Sequence, residues 1–356
     1  MKIRLGIIDN DGMYKTRLIN YFNANYADKL EIFSFSTLEN LKQYMQESNL
    51  DVLLADEESV PDTEEIPAGV AFAYWSDSAN IDSIRNKRTV CKYQKAELIY
   101  KEILGLYAEI DNNVTSYKLD GSGGAVLTFM GAAGGVGSST VAVGCAMYLA
   151  RQGKKVLYLD MTRLGDTSLY FGGEGNTTLS DVFYSIKSNN ANLFLKLESM
   201  VKRDGCGVNY YESCRVALDF RDTKAEDITH LIKSILDAQS YEYIIVDAEP
   251  SLDEKMKAIL AVSSAVIVIG DGTSNANSKL AKLIEALQLD GGKKDGLERK
   301  LFLLYNRFHT GAQKAVLQEK ITELGGINAY KNGSPRQIAE EIAGKSVFAR
   351  FLITEE

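Results

Sequence analysis

The run Gly131-Ala132-Ala133-Gly134-Gly135-Val136-Gly137-Ser138-Ser139-Thr140 is the stretch of this sequence best equipped for chemistry. Its glycines let a backbone turn tightly and bring N–H groups onto phosphate oxygens. The flanking patterns predict a strand before it and a helix after it, so the loop meets a helix N-terminus carrying roughly half a positive charge. A hydroxyl at the helix start, here Ser139, suits a Mg²⁺ ligand. A second polar set lies in the first third of the chain, each member at the end of a predicted strand: Asp9, Asp56, Ser76 and Lys92. Open α/β sheets build their sites at those ends.

The elements that must position these residues alternate between period 2 and period 3.6. In the first part, strands are expected at 2–8, 30–35, 51–55, 70–75 and 89–91, and helices at 13–23, 38–45 and 96–110. In the second part, strands are expected at 125–130, 154–160, 241–247, 265–269 and 300–306. Helices are expected at 139–151, 179–188, 193–201, 225–238, 278–287, 313–324 and 336–343. Strands alternating with helices imply a mainly parallel α/β sheet in each part. The polar, glycine-rich stretch 112–124 reads as a linker between a domain at 1–111 and another at 125–356.

The chain has 356 residues, two histidines and a net charge of −8, distributed as −7 over residues 1–120 and −1 over the rest. Two or three domains are expected for this length. The acidity argues against a broad nucleic-acid surface. Cys91, Cys145, Cys206 and Cys214 form no CxxC pair and no zinc spacing, which reads as a reduced cytoplasmic protein. Residues 121–150 carry no charge and are long enough to span a bilayer, but four glycines and three hydroxyls at their centre favour strand, loop and helix.

With the flanking elements in place, the loop resembles the deviant Walker A loop of the MinD/ParA family of P-loop ATPases. Laid over that pattern, the signature Lys falls on Ala133 and the general phosphate Lys on Ser138, and both lysines are missing. The resemblance implies nucleotide contacts from Gly134 to Thr140, with Ser139 on the metal. It implies that Asp160 and Asp247 help hold Mg²⁺, that Thr162 stands where the water-positioning Asp is normally found, and that Asn306, beside Arg307, contacts the adenine. A Lys ~4 Å from a phosphate charge is worth on the order of 4 kcal/mol at an effective dielectric near 20. A partner-supplied cation is worth roughly 10³–10⁵ in phosphoryl-transfer rate. ATP·Mg²⁺ binding with weak or absent hydrolysis is therefore expected. Arg163 either replaces part of the lost charge or is a solvated loop residue.

The first domain resembles a flavodoxin-like response-regulator receiver. That resemblance implies a phosphate-accepting Asp56, an acid pair of Asp9 with Asn10 or Asp11, and a phosphoryl-holding Ser76 and Lys92, with the third and fourth helices cut short. Either Asp56 takes phosphate or the domain only docks partners. A receiver-like domain ahead of a MinD/ParA-like domain is similar to the architecture of the CpaE/TadZ group. This resemblance implies a homodimer at a cell pole near the inner membrane. It also implies pilus assembly or secretion ATPase components, or a polar landmark protein, as partners, with membrane association only through them. A Flp-type (tight adherence) pilus role is expected. An active positioning or partition ATPase, and a phosphorylation-switched signalling protein, are the alternatives.

Overall fold

The computed structural model describes residues 2–61, 63, 66, 69–109, 124–188, 192–291, 297–309, 313–317 and 321–352. The expected linker, apart from Gly124, and the last four residues lie outside them. The chain divides into two compact units, 1–117 together with 188–200, and 118–187 together with 201–356.

The first unit contains β1 (Ile3–Ile8), α1 (Gly12–Asn25), β2 (Leu30–Phe35), α2 (Leu38–Glu47), β3 (Val52–Ala55), β4 (Ala71–Ser76), β5 (Ser83–Ile84), β6 (Lys87–Cys91) and α3 (Ala96–Ala108). From later in the chain it also takes α6 (Leu193–Met200). Its sheet runs β2-β1-β3-β4-β6-β5, parallel except for the β5–β6 hairpin. Arg85 and Asn86 turn that hairpin at φ 49° and 62°, the positive values a two-residue hairpin turn requires. The hairpin occupies the place of the shortened fourth helix, and the described residues between β3 and β4 form no α-helix. α6 packs against α3. Its Leu195 is buried in the core around Ile99, Ile103 and Leu106, and Lys196 pairs with Glu109 at 3.0 Å.

The second unit contains β7 (Ala125–Gly131), α4 (Ser138–Arg151), β8 (Val156–Met161), α5 (Leu179–Lys187), β9 (Lys202–Arg203), β10 (Asn209–Tyr210), α7 (Ala217–Arg221) and α8 (Ala225–Asp237). It continues with β11 (Tyr243–Ala248), α9 (Glu254–Val262), β12 (Ala265–Gly270), α10 (Ser274–Gly291), α11 (Leu297–Lys300), β13 (Leu301–Phe308), β14 (Thr322–Asn328) and α12 (Pro335–Ile342). The sheet order is β14-β13-β12-β7-β11-β8-β10-β9, parallel except for β9. The central strands β7, β8, β11 and β12 are buried almost throughout, as parallel strands covered on both faces must be. The uncharged run resolves into β7, a loop and α4. Among the described residues, no helix is long and apolar enough to cross a membrane.

One expected helix is corrected. Residues 313–317 are not helical, and Thr322–Leu324 belong to β14, which pairs with β13 through two register shifts. The apolar spacing there fits a helix, but Gly325 and Gly326 suit an irregular edge strand, and pairing with β13 overrides the local pattern.

Candidate nucleotide site and acid cluster

β7 brings the chain to the glycine loop and α4 carries it away. Gly135 and Gly137 adopt φ 78° and 85°, which only glycine takes without strain, and Gly137 caps α4. Gly134 and Gly135 are exposed. An added Cβ at either would touch nothing within 4 Å, so the loop presents bare backbone. Ala133, at the position of the signature Lys, packs half-buried on the unit's core. Ser138 and Ser139 are the first two residues of α4, and the Thr140 hydroxyl bonds the Tyr170 hydroxyl at 2.9 Å.

Asn306, buried at the end of β13, donates from Nδ2 to the Val136 carbonyl at 2.8 Å. A Cβ on Gly137 would lie 2.5 Å from that nitrogen. Asn306 is thus packed into the loop as a brace. Arg307, exposed at φ 55°, brings its Nε to 3.9 Å from the same Cβ position.

β8 and β11 lie side by side with Asp160 opposite Asp247. Both acids are buried. Asp247 Oδ2 accepts from the Tyr158 hydroxyl at 3.1 Å, whereas Oδ1 is buried without a hydrogen-bond partner. Burial, and then the charge of Asp160, push the Asp247 carboxyl up to about 7. Burial also raises Asp160, although hydrogen bonds from Thr162 and Ser213 offset part of the effect. These bonds run to Asp160 Oδ1 from Thr162 N (3.1 Å) and Oγ1 (2.6 Å), and to Oδ2 from Ser213 Oγ (2.7 Å). Thr162 therefore spends its hydroxyl on its neighbour.

Among the described residues, no three His, Cys, Asp or Glu side chains converge into a metal cage. Mg²⁺ needs no such cage: it takes one or two carboxylates, and nucleotide phosphates and waters supply the rest. An orphaned carboxylate oxygen beside a second buried acid, with hydroxyls at the start of α4, fits that ion. Arg163 is two-thirds exposed and engaged with Glu249, Nε to Oε2 at 2.6 Å and N to Oε1 at 3.1 Å. Sequence reading passed over Tyr158, Ser213 and Glu249. Only Glu249, two residues beyond Asp247 at a strand end, carried a signal that could have found it.

In the first unit, Lys92 Nζ lies 3.0 Å from Asp9 Oδ1 and 2.6 Å from Asp56 Oδ1. Burial works against the Lys92 charge, but hydrogen bonds to Asp56 and Asp9 outweigh it and its pKa lies above the ordinary value. Burial raises Asp9, whose Oδ2 is an orphan, and the Asn10 amide donates to Asp56 Oδ2 at 2.8 Å. Asp11 does not join this cluster: its side chain caps α1, accepting from Met13 N and Tyr14 N. The Ser76 hydroxyl donates to the Ser78 carbonyl at 3.1 Å.

Residues 1–108 match the family described as "TadZ-like, receiver domain", and residues 124–295 match one described as "AAA domain". Among curated proteins, none matches the chain. Solved structures with a similar fold include a ParA family ATPase from Chlorobium tepidum, 20% identical, covering 64% of this chain and 96% of its own, with a TM-score of 0.51. The MinC:MinD cell division complex of Aquifex aeolicus (16%, 65% and 98%, 0.49) and the MinD cell division ATPase of Pyrococcus furiosus (15%, 64% and 100%, 0.48) are further examples. The chain thus carries a TadZ-like receiver domain followed by an AAA domain whose fold is similar to that of a ParA family ATPase.

Proposed function

We propose that the second unit binds ATP with Mg²⁺ as a dimer-stabilising ligand, hydrolyses it weakly or not at all, and serves a protein that localises or organises a Flp-type pilus machine. The observation that carries this reading is a phosphate loop with its backbone exposed and its catalytic cations missing. Ala133 and Ser138 replace the two lysines, and Thr162 is bonded to Asp160 instead of facing a water. Backbone amides and the α4 dipole favour phosphate without a lysine. Arg307, beside Gly137, adds charge at the loop. Ser139 and Asp247, with Asp160 beside them, would hold Mg²⁺, which supplies charge neutralisation at the phosphates when bound. The TadZ-like receiver match supports the pilus assignment. The first unit is read as a docking module, because Asn10 stands where the second metal-binding acid is expected and Asp11 spends its side chain on capping α1. Titration with ATP and Mg²⁺, with phosphate release and sedimentation on one sample, tests the reading. Binding and dimerisation without turnover are expected, and rapid turnover or an absence of binding would refute it.

A further inference from the structure

We propose that Asp160 is the hub of a lock that holds loop 161–167 closed, and that Asp247 alone of the two strand-end acids meets the metal. The inference rests on the nucleotide reading above and reassigns one of its residues.

The hydrogen bonds decide the matter. A carboxylate offers about four lone-pair directions. Two on Asp160 Oδ1 are taken by the amide and hydroxyl of Thr162, and Oδ2 takes the Ser213 hydroxyl. The remaining face is covered by backbone. A Cβ on Gly165 would fall 1.8 Å from Oδ2 and 2.3 Å from Cγ, so only glycine passes there. Ser213 is itself stapled to the far end of the loop. Thr167 N donates to Ser213 Oγ at 2.9 Å and Ser213 N donates to Thr167 Oγ1 at 3.0 Å. Thr162, Gly165 and Thr167 are thus gathered around one carboxylate. Charge-assisted bonds of this kind are roughly twice as strong as neutral ones. Asp247 is more open: Tyr158 donates to Oδ2, the Ser139 hydroxyl at the start of α4 also favours its charge, and Oδ1 is buried with no hydrogen-bond partner. A metal approaching Asp160 must break a closed network, whereas at Asp247 it fills an existing gap.

The test uses the full chain in four forms: wild type, Asp160→Asn, Asp247→Asn, and the pair Thr162→Val with Ser213→Ala. Mn²⁺ binding is read by electron paramagnetic resonance in the presence of ATP. Tryptic cleavage after the exposed Arg163 is read by mass spectrometry without nucleotide. Loss of a metal-side group costs roughly 10–100-fold in metal affinity, and Asp247→Asn is expected in that range with Asp160→Asn close to wild type. Cleavage after Arg163 is expected to speed up roughly ten-fold or more in the Thr162/Ser213 pair, whose broken bonds end on a charged group. Equal loss of Mn²⁺ in the two Asp variants, or an unchanged cleavage rate in the pair, would overturn the proposal. If wild type binds neither ATP nor Mn²⁺, the nucleotide reading fails and the cleavage rate alone decides the lock. Should Asp160→Asn not fold, the Thr162/Ser213 pair supplies the metal comparison, with Mn²⁺ affinity near wild type expected.

Discussion

Replacing Asn306 by Ala separates two roles for this residue. If it contacts the adenine, its loss removes discrimination between bases. If it braces the phosphate loop, its loss weakens the loop whatever base is bound. The geometry favours the brace: a 2.8 Å bond from Nδ2 to a carbonyl on Val136, with both residues buried. Truncation removes that bond and strands a buried acceptor, which costs about 1–3 kcal/mol. At about 2–4 °C per kcal/mol for a unit of this size, the ligand-free protein should melt about 2–12 °C lower. The Gly137 corner loses its packing partner as well, so ATP and GTP affinities should fall by the same factor. Differential scanning fluorimetry without ligand and parallel titrations with the two nucleotides read both effects. An unchanged melting temperature together with lost preference for ATP would refute the brace.

Arg336→Met should destabilise the second unit by about 3–5 kcal/mol, because it leaves a buried carboxylate short of donors. Asp204 accepts from both Arg336 Nη atoms at 2.9 and 3.0 Å and from the amides of Gly172 and Cys206. Burial alone would raise Asp204, but these donors hold it below its ordinary value of 3.8. The stability it contributes is present above that value and is lost on further acidification, so the melting gap between wild type and variant should narrow below about pH 4. Leu195→Ala should cost about 2–5 kcal/mol, and it should appear in the fluorescence of Trp75, the single tryptophan, because both side chains belong to the core of the first unit. An unchanged Trp75 transition would contradict the packing of α6 on α3. Lys92→Met leaves Asp9 and Asp56 without their shared cation. Burial already raises Asp9, and a raised carboxyl favours the fold in its protonated form, so this variant's melting temperature relative to wild type should rise on acidification, as a pH series of scanning fluorimetry reads.

Much of the architecture was legible because apolar periodicity and glycine placement are local. The run from β7 through the loop to α4 is an example: its glycines mark positive φ, and its small residues mark a buried helix. The parallel sheets followed from the alternation of elements. Other features depend on distant pairing. Nothing near residues 322–328 announces a partner strand, and nothing in 193–200 distinguishes a helix that packs on α3 from one that stays with α5. At the site, Asp160 and Asp247 were singled out because the apolar strands that carry them resemble those of the MinD/ParA pattern. Ser213 was not, because its importance comes entirely from folding next to Asp160 across 53 residues of chain. Asp11 was offered as a member of the acid pair, but a side chain two and three residues before free amides is better placed to cap a helix.

The central claim is that the loop keeps phosphate-binding power after losing its catalytic cations. Calorimetric titration of the full chain with ATP and Mg²⁺, with phosphate release followed on the same sample, tests it most directly. Saturable binding with no phosphate released over many binding lifetimes is the predicted result. Steady turnover, or no heat of binding at any Mg²⁺ concentration, would contradict it.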